Sequence, residues 1–384
     1  MQSKIKCKTI KINQPKAKKM HTEIFYRIAL NKTEGLGKST LKQILTAAGS
    51  AQNVYEFPES WQRRLQHRKR CQVDIKLTDK LRDLVEKEMS LMEKHNVQLC
   101  HFLDMTYPNR LKRCPDAPVS FYFRGDGNFN RSRMLAVVGT RNATSYGIKS
   151  LTKILNDLKD SDITTVSGLA YGIDTVAHEE SLNLGIPTIA VLGNGLHTIY
   201  PSTNKNLSEM ITASGGTLIS EFDFNTGPDR MNFPARNRII AGMADAVLVA
   251  ESGIKGGSII TAHIANSYNR DVFAIPGTIF DERHAGCHEL VRKNIAAIVT
   301  SGKDMLEMMN WDSAPQSVQT QLFPDMSEDE ALVYRYIQTG RKTIDEIAEH
   351  CVGFSPSKLA GMLLSLELKG VLFALPGKSY STEI

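Results

Sequence analysis

Between residues 134 and 305 the chain repeats one pattern: a short apolar run, a glycine-rich turn and a stretch of helical period. The apolar runs fall at 135–139, 163–167, 187–192, 217–221, 246–250, 271–275 and 296–299. Such short, continuous, aliphatic runs mark strands buried on both faces. Most are separated by segments with apolar residues three and four apart, at 148–158, 172–184, 204–213, 235–243, 257–269 and 286–294. The alternation predicts an α/β fold, a parallel sheet with helices on both faces. Ligands of such sheets bind beyond the C-terminal strand ends, where every glycine-rich motif of this chain falls.

The flanks read differently. Residues 21–100 predict a helical module, with one-sided apolar stretches at 23–30, 41–48 and 78–94 and a turn at 31–40. A loop and a strand at 107–125 lead into the central domain, taken as 101–305. Residues 306–326, with Pro315, Gln316, Gln319, Gln321 and Pro324, read as a linker. The helical period returns after Ser327-Glu-Asp-Glu330, a capping box. Helical stretches at 331–337, 343–350 and 355–369, then two short apolar stretches near Val371 and Lys378, give the winged-helix pattern for 327–384.

Composition narrows the choice. A chain of 384 residues predicts two or three domains. Residues 1–20 hold seven lysines and no acid, so subtracting +7 from the net charge of +6 leaves the body at −1. Nucleic-acid binding by the body then needs a local patch. The tail reads as a disordered arm with non-specific phosphate affinity, or as a solvated extension upstream of a true start at Met20. No apolar run is long enough to span a bilayer and no signal peptide opens the chain, so a cytoplasmic protein is expected. Cys7, Cys71, Cys100, Cys114, Cys287 and Cys351 are scattered without a CxxC pair, against a zinc site or a disulfide framework. No metal or cofactor is expected.

Candidate chemistry concentrates in four turns. Gly139-Thr140-Arg141 ends the first strand, with an arginine where a dinucleotide fingerprint has a bare turn residue. That combination suits a phosphodiester held by amides and a guanidinium; the bland alternative pairs Arg141 with Asp174 or Glu221. Ser167-Gly168 leads through Gly172 into a helix whose start favours an anion. Asp174 there reads as a cap, and an Asp174–His178 acid/base pair lacks a nucleophile. Phe233, Arg236, Asn237 and Arg238 combine a stacking ring with guanidinium groups, as a single strand needs, unless Phe233 is core and an arginine is internal. Lys255-Gly256-Gly257-Ser258 opens another helix as an anion site. His284, Cys287 and His288 read as surface or interface residues. The turn at Gly35-Leu-Gly37-Lys38 is no P-loop, because Lys32 stands where the first glycine belongs. It reads as a helix-hairpin-helix turn, holding a DNA phosphate or serving structure alone.

In order, Val137-Val-Gly-Thr-Arg141, Ser167-Gly-Leu-Ala-Tyr-Gly-Ile-Asp174, Phe233-Pro-Ala-Arg-Asn-Arg238 and Lys255-Gly-Gly-Ser-Ile-Ile-Thr261 resemble the DNA-processing protein DprA (Smf) family over about residues 22–384. The resemblance implies an extended Rossmann-like domain that binds single-stranded DNA, forms a homodimer and loads the RecA recombinase during natural transformation. It departs before and after Tyr200-Pro201: His197 stands where the family often has an acid, and Ser202-Thr-Asn separates the pair from Lys205, the candidate for the usual basic contact. An enzymatic alternative is a nucleoside-monophosphate phosphoribohydrolase of a related Rossmann-like family, but the turn at 255–262 lacks that family's catalytic glutamate. A protein adaptor without DNA affinity is a third class. For the dimer, the last strand should lie at a sheet edge, with His288, Leu290, Val291 and Ile298 covering it.

Overall fold

The computed structural model describes residues 22–33, 35–65, 75–311, 326–338, 340, 342–351, 353–369, 371–375 and 379–382. The lysine-rich tail, Glu34, Lys378 and residues 312–325 of the expected linker lie outside the described residues. The chain divides into two compact units, one up to Asp312 and one from Ser313.

The first unit opens with α1 (Glu23–Asn31), α2 (Lys38–Ala48), α3 (Ala51–Glu56), α4 (Pro58–Arg64) and α5 (Asp79–Lys94). There follow β1 (Gln98–His101), α6 (Asn109–Lys112), β2 (Ser120–Gly125), β3 (Arg133–Val138), α7 (Ser145–Leu158), β4 (Ile163–Ser167) and α8 (Ile173–Asn183). Next come β5 (Thr188–Leu192), α9 (Lys205–Ala213), β6 (Thr217–Ser220), α10 (Asn232–Met243), β7 (Ala246–Val249) and α11 (Gly257–Ser267). The unit ends with β8 (Asp271–Ala274), α12 (Ala285–Arg292), β9 (Ala297–Ile298) and α13 (Gly302–Met308).

The nine strands form one sheet in the order β1-β2-β6-β5-β4-β3-β7-β8-β9. All seven strands foreseen in the central pattern are present and mutually parallel. β1 and β2 add an antiparallel edge. β1 begins inside the stretch expected to be helical and runs one residue past its end; Gln98-Leu-Cys-His101 has too few apolar residues to announce a strand. β9 does close the opposite edge.

Alternate residues of each strand enter different cores. Met134, Ala136 and Val138 pack with α6, α10, α11 and α12, while Leu135 and Val137 pack with α7, α8 and α13. α13 and Trp311 extend this packing into the segment expected to be linker. The N-terminal helices share a core with the sheet: Phe25, Ile28, Ile44 and Trp61 cluster with Tyr122, Leu192 and Leu218. Around the glycine turn, Lys32 reaches Glu88 at 3.5 Å and also Asp223, and Lys38 reaches Glu221 at 2.6 Å. Both lysines thus face carboxylates of the unit itself, which favours the structural reading of that turn.

The second unit contains α14 (Glu328–Ile337), β10 (Lys342–Thr343), α15 (Ile344–His350), α16 (Pro356–Leu368), β11 (Phe373–Leu375) and β12 (Ser379–Ser381). The capping box at Ser327 and Glu330 is formed. Val333, Ile337, Ile347, Leu363 and Leu366 make its core beside a three-stranded sheet, the winged-helix arrangement.

Two of the histidines buried in the first unit, His101 and His178, have lowered pKa values. The His178 Nδ1 lies 2.7 Å from the Thr188 hydroxyl rather than pairing with Asp174. Burial, and then the charge of Arg236, pushes His178 down to about 3. Burial, and then Arg27, lowers His101 to about 4. Such groups contribute stability that is complete above the unfolded value of about 6.5 and is lost as pH falls toward the folded value. Between pH 6.5 and about 4, each should lower the unfolding free energy by up to about 1.4 kcal/mol per pH unit. Urea unfolding across that window should give a shallower pH slope for His178→Asn than for the parent; equal slopes would refute the assignment.

Candidate nucleic-acid interface

Strand order reverses between β3 and β7, since β4, β5 and β6 lie on one side and β8 and β9 on the other. A crevice forms at such a switch because successive connections leave in opposite directions. A cavity of about 570 Å³ occupies it, lined by Gly139, Thr140 and Arg141 after β3, Ser252 and Gly253 after β7, and the starts of α10 and α11.

The turn after β3 is held from below. The Thr140 amide donates to the Glu251 carbonyl at 2.8 Å, and its own carbonyl accepts from the Ile173 amide at 3.1 Å. Gly172 lies against it with φ of 74°, where a Cβ would stand 2.3 Å from the Thr140 oxygen; only glycine fits. Glu251 is buried and accepts from the Thr144 amide at 3.0 Å and the Thr144 hydroxyl at 2.9 Å. With its backbone tied down, the turn sends Arg141 outward. Arg141 is exposed and forms no ion pair among the described residues. Of the two carboxylates proposed as alternative partners, Glu221 bonds Arg238 and Lys38 instead, and Asp174 feels the charge of Arg141 but accepts from the Ala170 amide.

The Arg141 guanidinium lies 5.2 Å from the centroid of the Phe233 ring, a cation–π contact. Phe233 is half-buried, belongs to none of the apolar cores, and seats against Gly193, where a Cβ would be 2.9 Å from the ring. Tyr200 flanks it at 5.8 Å between centroids, tilted by 47°. An aromatic pair beside an unpaired guanidinium can stack a base while the cation meets its phosphate. Across the cavity α11 starts at Gly257 without a side-chain cap; the Ile259 amide turns back to the Gly256 carbonyl at 3.1 Å, which leaves the amides of Gly257 and Ser258 to face an anion. A Cβ on Gly257 would meet nothing within 4 Å.

The foreseen residues separate into three groups. Gly139, Thr140, Arg141, Phe233, Asn237, Gly256, Gly257 and Ser258 line the cavity together. Lys205 and Lys255 are exposed but outside its lining. The third group lies beneath the surface. Ser167 is buried and donates to the Val137 carbonyl at 2.7 Å. Gly168 supplies a carbonyl to Arg236 at 2.6 Å. Arg236, though at the cavity floor, is buried and also donates to the Val191 carbonyl. Arg238 is buried on Glu221 and the Asp116 carbonyl. These arginines are structural, correcting the expectation that both meet DNA.

Asp174 is buried beside Arg236 and accepts from the Ala170 amide at 3.3 Å. Burial raises its pKa, countered in part by Arg236. Burial in turn lowers Arg236, countered by Asp174. His284 and Cys287 are also buried, against the expectation of surface or interface positions. Among the described residues no cluster is placed to hold a metal ion, and no helix is long and apolar enough to cross a membrane.

Sequence reasoning overlooked Arg230 and Tyr200. Arg230 is an exposed cation on the cavity wall. Its signal is its place three residues before Phe233, in a segment without regular period.

The fold is that of an extended Rossmann-like protein with a crevice at its topological switch, followed by a winged helix. The DNA recombination-mediator protein A family matches residues 98–310, and the DprA winged helix domain matches 315–378. The chain belongs to this DNA recombination-mediator family. It is 44% identical over 204 residues to DNA processing protein DprA of Streptococcus pneumoniae, covering 53% of this chain and 71% of that one. It is 34% identical over 302 residues to protein Smf of Escherichia coli, covering 77% and 80% respectively. The X-ray structure of the S. pneumoniae protein superposes with a TM-score of 0.60 at 34% identity, over 74% of this chain and 97% of that one. A Helicobacter pylori DNA processing protein A, studied for its single-stranded DNA binding mode, gives 0.51 at 26% identity, over 57% and 97%.

The two kinds of arginine should respond oppositely to truncation. Arg236→Ala strands two carbonyls and the buried Asp174, and should cost about 2–4 kcal/mol of stability. Arg141→Ala should stay within about 0.5 kcal/mol of the parent. Chemical denaturation of both variants decides; a stable Arg236→Ala protein would remove the structural role.

Proposed function

We propose that the cavity binds single-stranded DNA and that the protein promotes RecA loading in recombination and natural transformation, without catalysis. The observation that carries the DNA reading is the unpaired Arg141 guanidinium against Phe233, opposite the uncapped start of α11. A bare strand offers both the phosphate and the splayed base that this pair accepts. Family membership supports the role in recombination, and the H. pylori relative is known for its single-stranded DNA binding mode. Asp174 is the one carboxylate lining the cavity, and it is bonded to Ala170. The turn at 255–262 that lines the same cavity carries no glutamate, the residue that general acid/base chemistry of the phosphoribohydrolase kind uses. Action in the cytoplasm, where DNA and RecA meet, belongs to the same reading.

Single-stranded DNA should outcompete duplex, with affinity falling as salt rises. Arg141→Ala should weaken binding by about 1–3 kcal/mol, and Phe233→Ala by a similar amount. Phe233→Trp should retain most of it, since any aromatic face can stack. Equal affinity for single strand and duplex in a competition titration would defeat the proposal.

The proposal includes a homodimer through the β9 edge. Ile298 is 48% exposed, and an apolar groove of about 210 Å³ lies between Ile275, Val291, His288 and Ile298. An uncovered edge with an apolar groove is the kind of surface that a second copy covers. Leu290, expected in this interface, is 1% exposed and belongs to the core, because it points inward from α12. The discriminating variant is therefore Ile298→Glu. Light scattering at micromolar concentration should give a dimer mass for the parent and a monomer mass for this variant; a monomeric parent would eliminate the interface.

A further inference from the structure

A second group of cations lies outside the cavity, where α2 meets α6. The ammonium groups of Lys42 and Lys112 stand 5.0 and 5.2 Å from the centroid of one ring, Phe102. The ring thus holds two cations at one place on the surface, a concentration of positive charge that an anion would relieve. Arg113 is exposed, and with Arg270 it lines a cavity of about 360 Å³ beside Cys114 and Tyr268. Cys114 lies between the two halves: its thiol donates to the Arg110 carbonyl at 3.6 Å, and the charges of Arg270 and Lys42 both act on it.

The local carboxylates are already engaged. Asp116, which acts on Lys42, accepts from the Tyr268 hydroxyl. Glu221 holds Arg238 and Lys38. Among the described residues Lys42, Lys112, Arg113 and Arg270 form no ion pair. Burial, and then the Arg238 guanidinium, lowers the pKa of Lys42, in keeping with an excess of positive charge.

We infer that this patch is a second phosphodiester site, which carries a DNA strand beyond the cavity and across the junction of the N-terminal helices with the sheet. The inference rests on the single-strand reading above. α10 connects the two places. Phe233 faces the cavity, and Arg238, about 7.5 Å further along the helix axis, donates to the Asp116 carbonyl and stands beside Lys42. The exposed Arg113 guanidinium and the Lys42 and Lys112 ammonium groups suit phosphate oxygens, while Arg270, which donates to the Arg110 carbonyl at 2.9 Å, adds charge from the cavity wall. Nothing there resembles a base-reading pocket, so the contact is independent of sequence.

The test uses fluorescence anisotropy of the full chain with oligothymidines of about 6 and about 30 nucleotides, lengths below and above a compact site. The variant is Lys112→Glu/Arg113→Glu, both exposed, with a melting temperature checked against the parent. Short-strand binding should stay within about twofold, and long-strand affinity should fall about tenfold or more. The slope of log affinity against log salt for the long strand should flatten by about 1.4, at about 0.7 per lost cation. Lys159→Glu/Lys303→Glu, on the opposite face with α7 and α13, should change neither. Unchanged long-strand binding by the Lys112/Arg113 variant, or an equal loss in the control pair, overturns the second site. If Arg141→Ala weakens both lengths while the Lys112/Arg113 variant is silent, only this inference falls. If the parent binds neither strand, the single-strand reading falls with it.

Discussion

The crevice is organised by one buried guanidinium. Arg236 reaches from α10 to the carbonyls of Gly168 and Val191, at the ends of β4 and β5. Parallel strands leave such carbonyls unpaired where the chain turns away, and burying them without donors is costly. An arginine, with five donors in a fixed fork, can satisfy two strand ends and still face a carboxylate. The same side chain forbids anything but glycine at 168, since a Cβ there would stand 2.0 Å from a guanidinium nitrogen. Arg236 therefore sets how close α10 lies to the sheet, and so where Phe233 stands.

The rest of the site follows from that placement. Phe233 leaves the core, settles over Gly193 and meets Tyr200 and Arg141. Glu251 does the corresponding work on the other side of the switch, fastening Thr144 and the turn that presents Arg141. Buried charges thus shape the crevice, and exposed charges are left for a ligand. The division explains how a body of nearly neutral composition can carry a local positive site: its acids are engaged with particular bases, as Glu221 is with Arg238 and Lys38, while Arg141 and Arg230 are not.

Much of this was legible in advance. The apolar runs at 163–167 and 246–250 became β4 and β7 within one residue, because strands buried on both faces tolerate little but aliphatic side chains. Arg141 stood out because packing rarely calls for an arginine at the end of a core strand. β1 was missed, since an edge strand of four residues with polar ends has no such constraint. The helices of residues 23–94 were foreseen, but not their sharing a core with Tyr122 and Leu218.

The sequence alone determined the alternation of strand and helix, the turns at the strand ends and the presence of arginines beside an aromatic residue. Only the tertiary structure decided which arginines are free. Arg236 and Arg238 lie on nearly opposite sides of α10, about 200° apart at 100° per residue, yet both are buried, as is every residue from Arg238 to Met243. A helix enclosed on all sides shows no polar face to read. Arg230, in the irregular segment before it, is left exposed on the cavity wall. Local pattern sets which residues share a helix face, but whether that face meets water depends on what packs against it from distant parts of the chain.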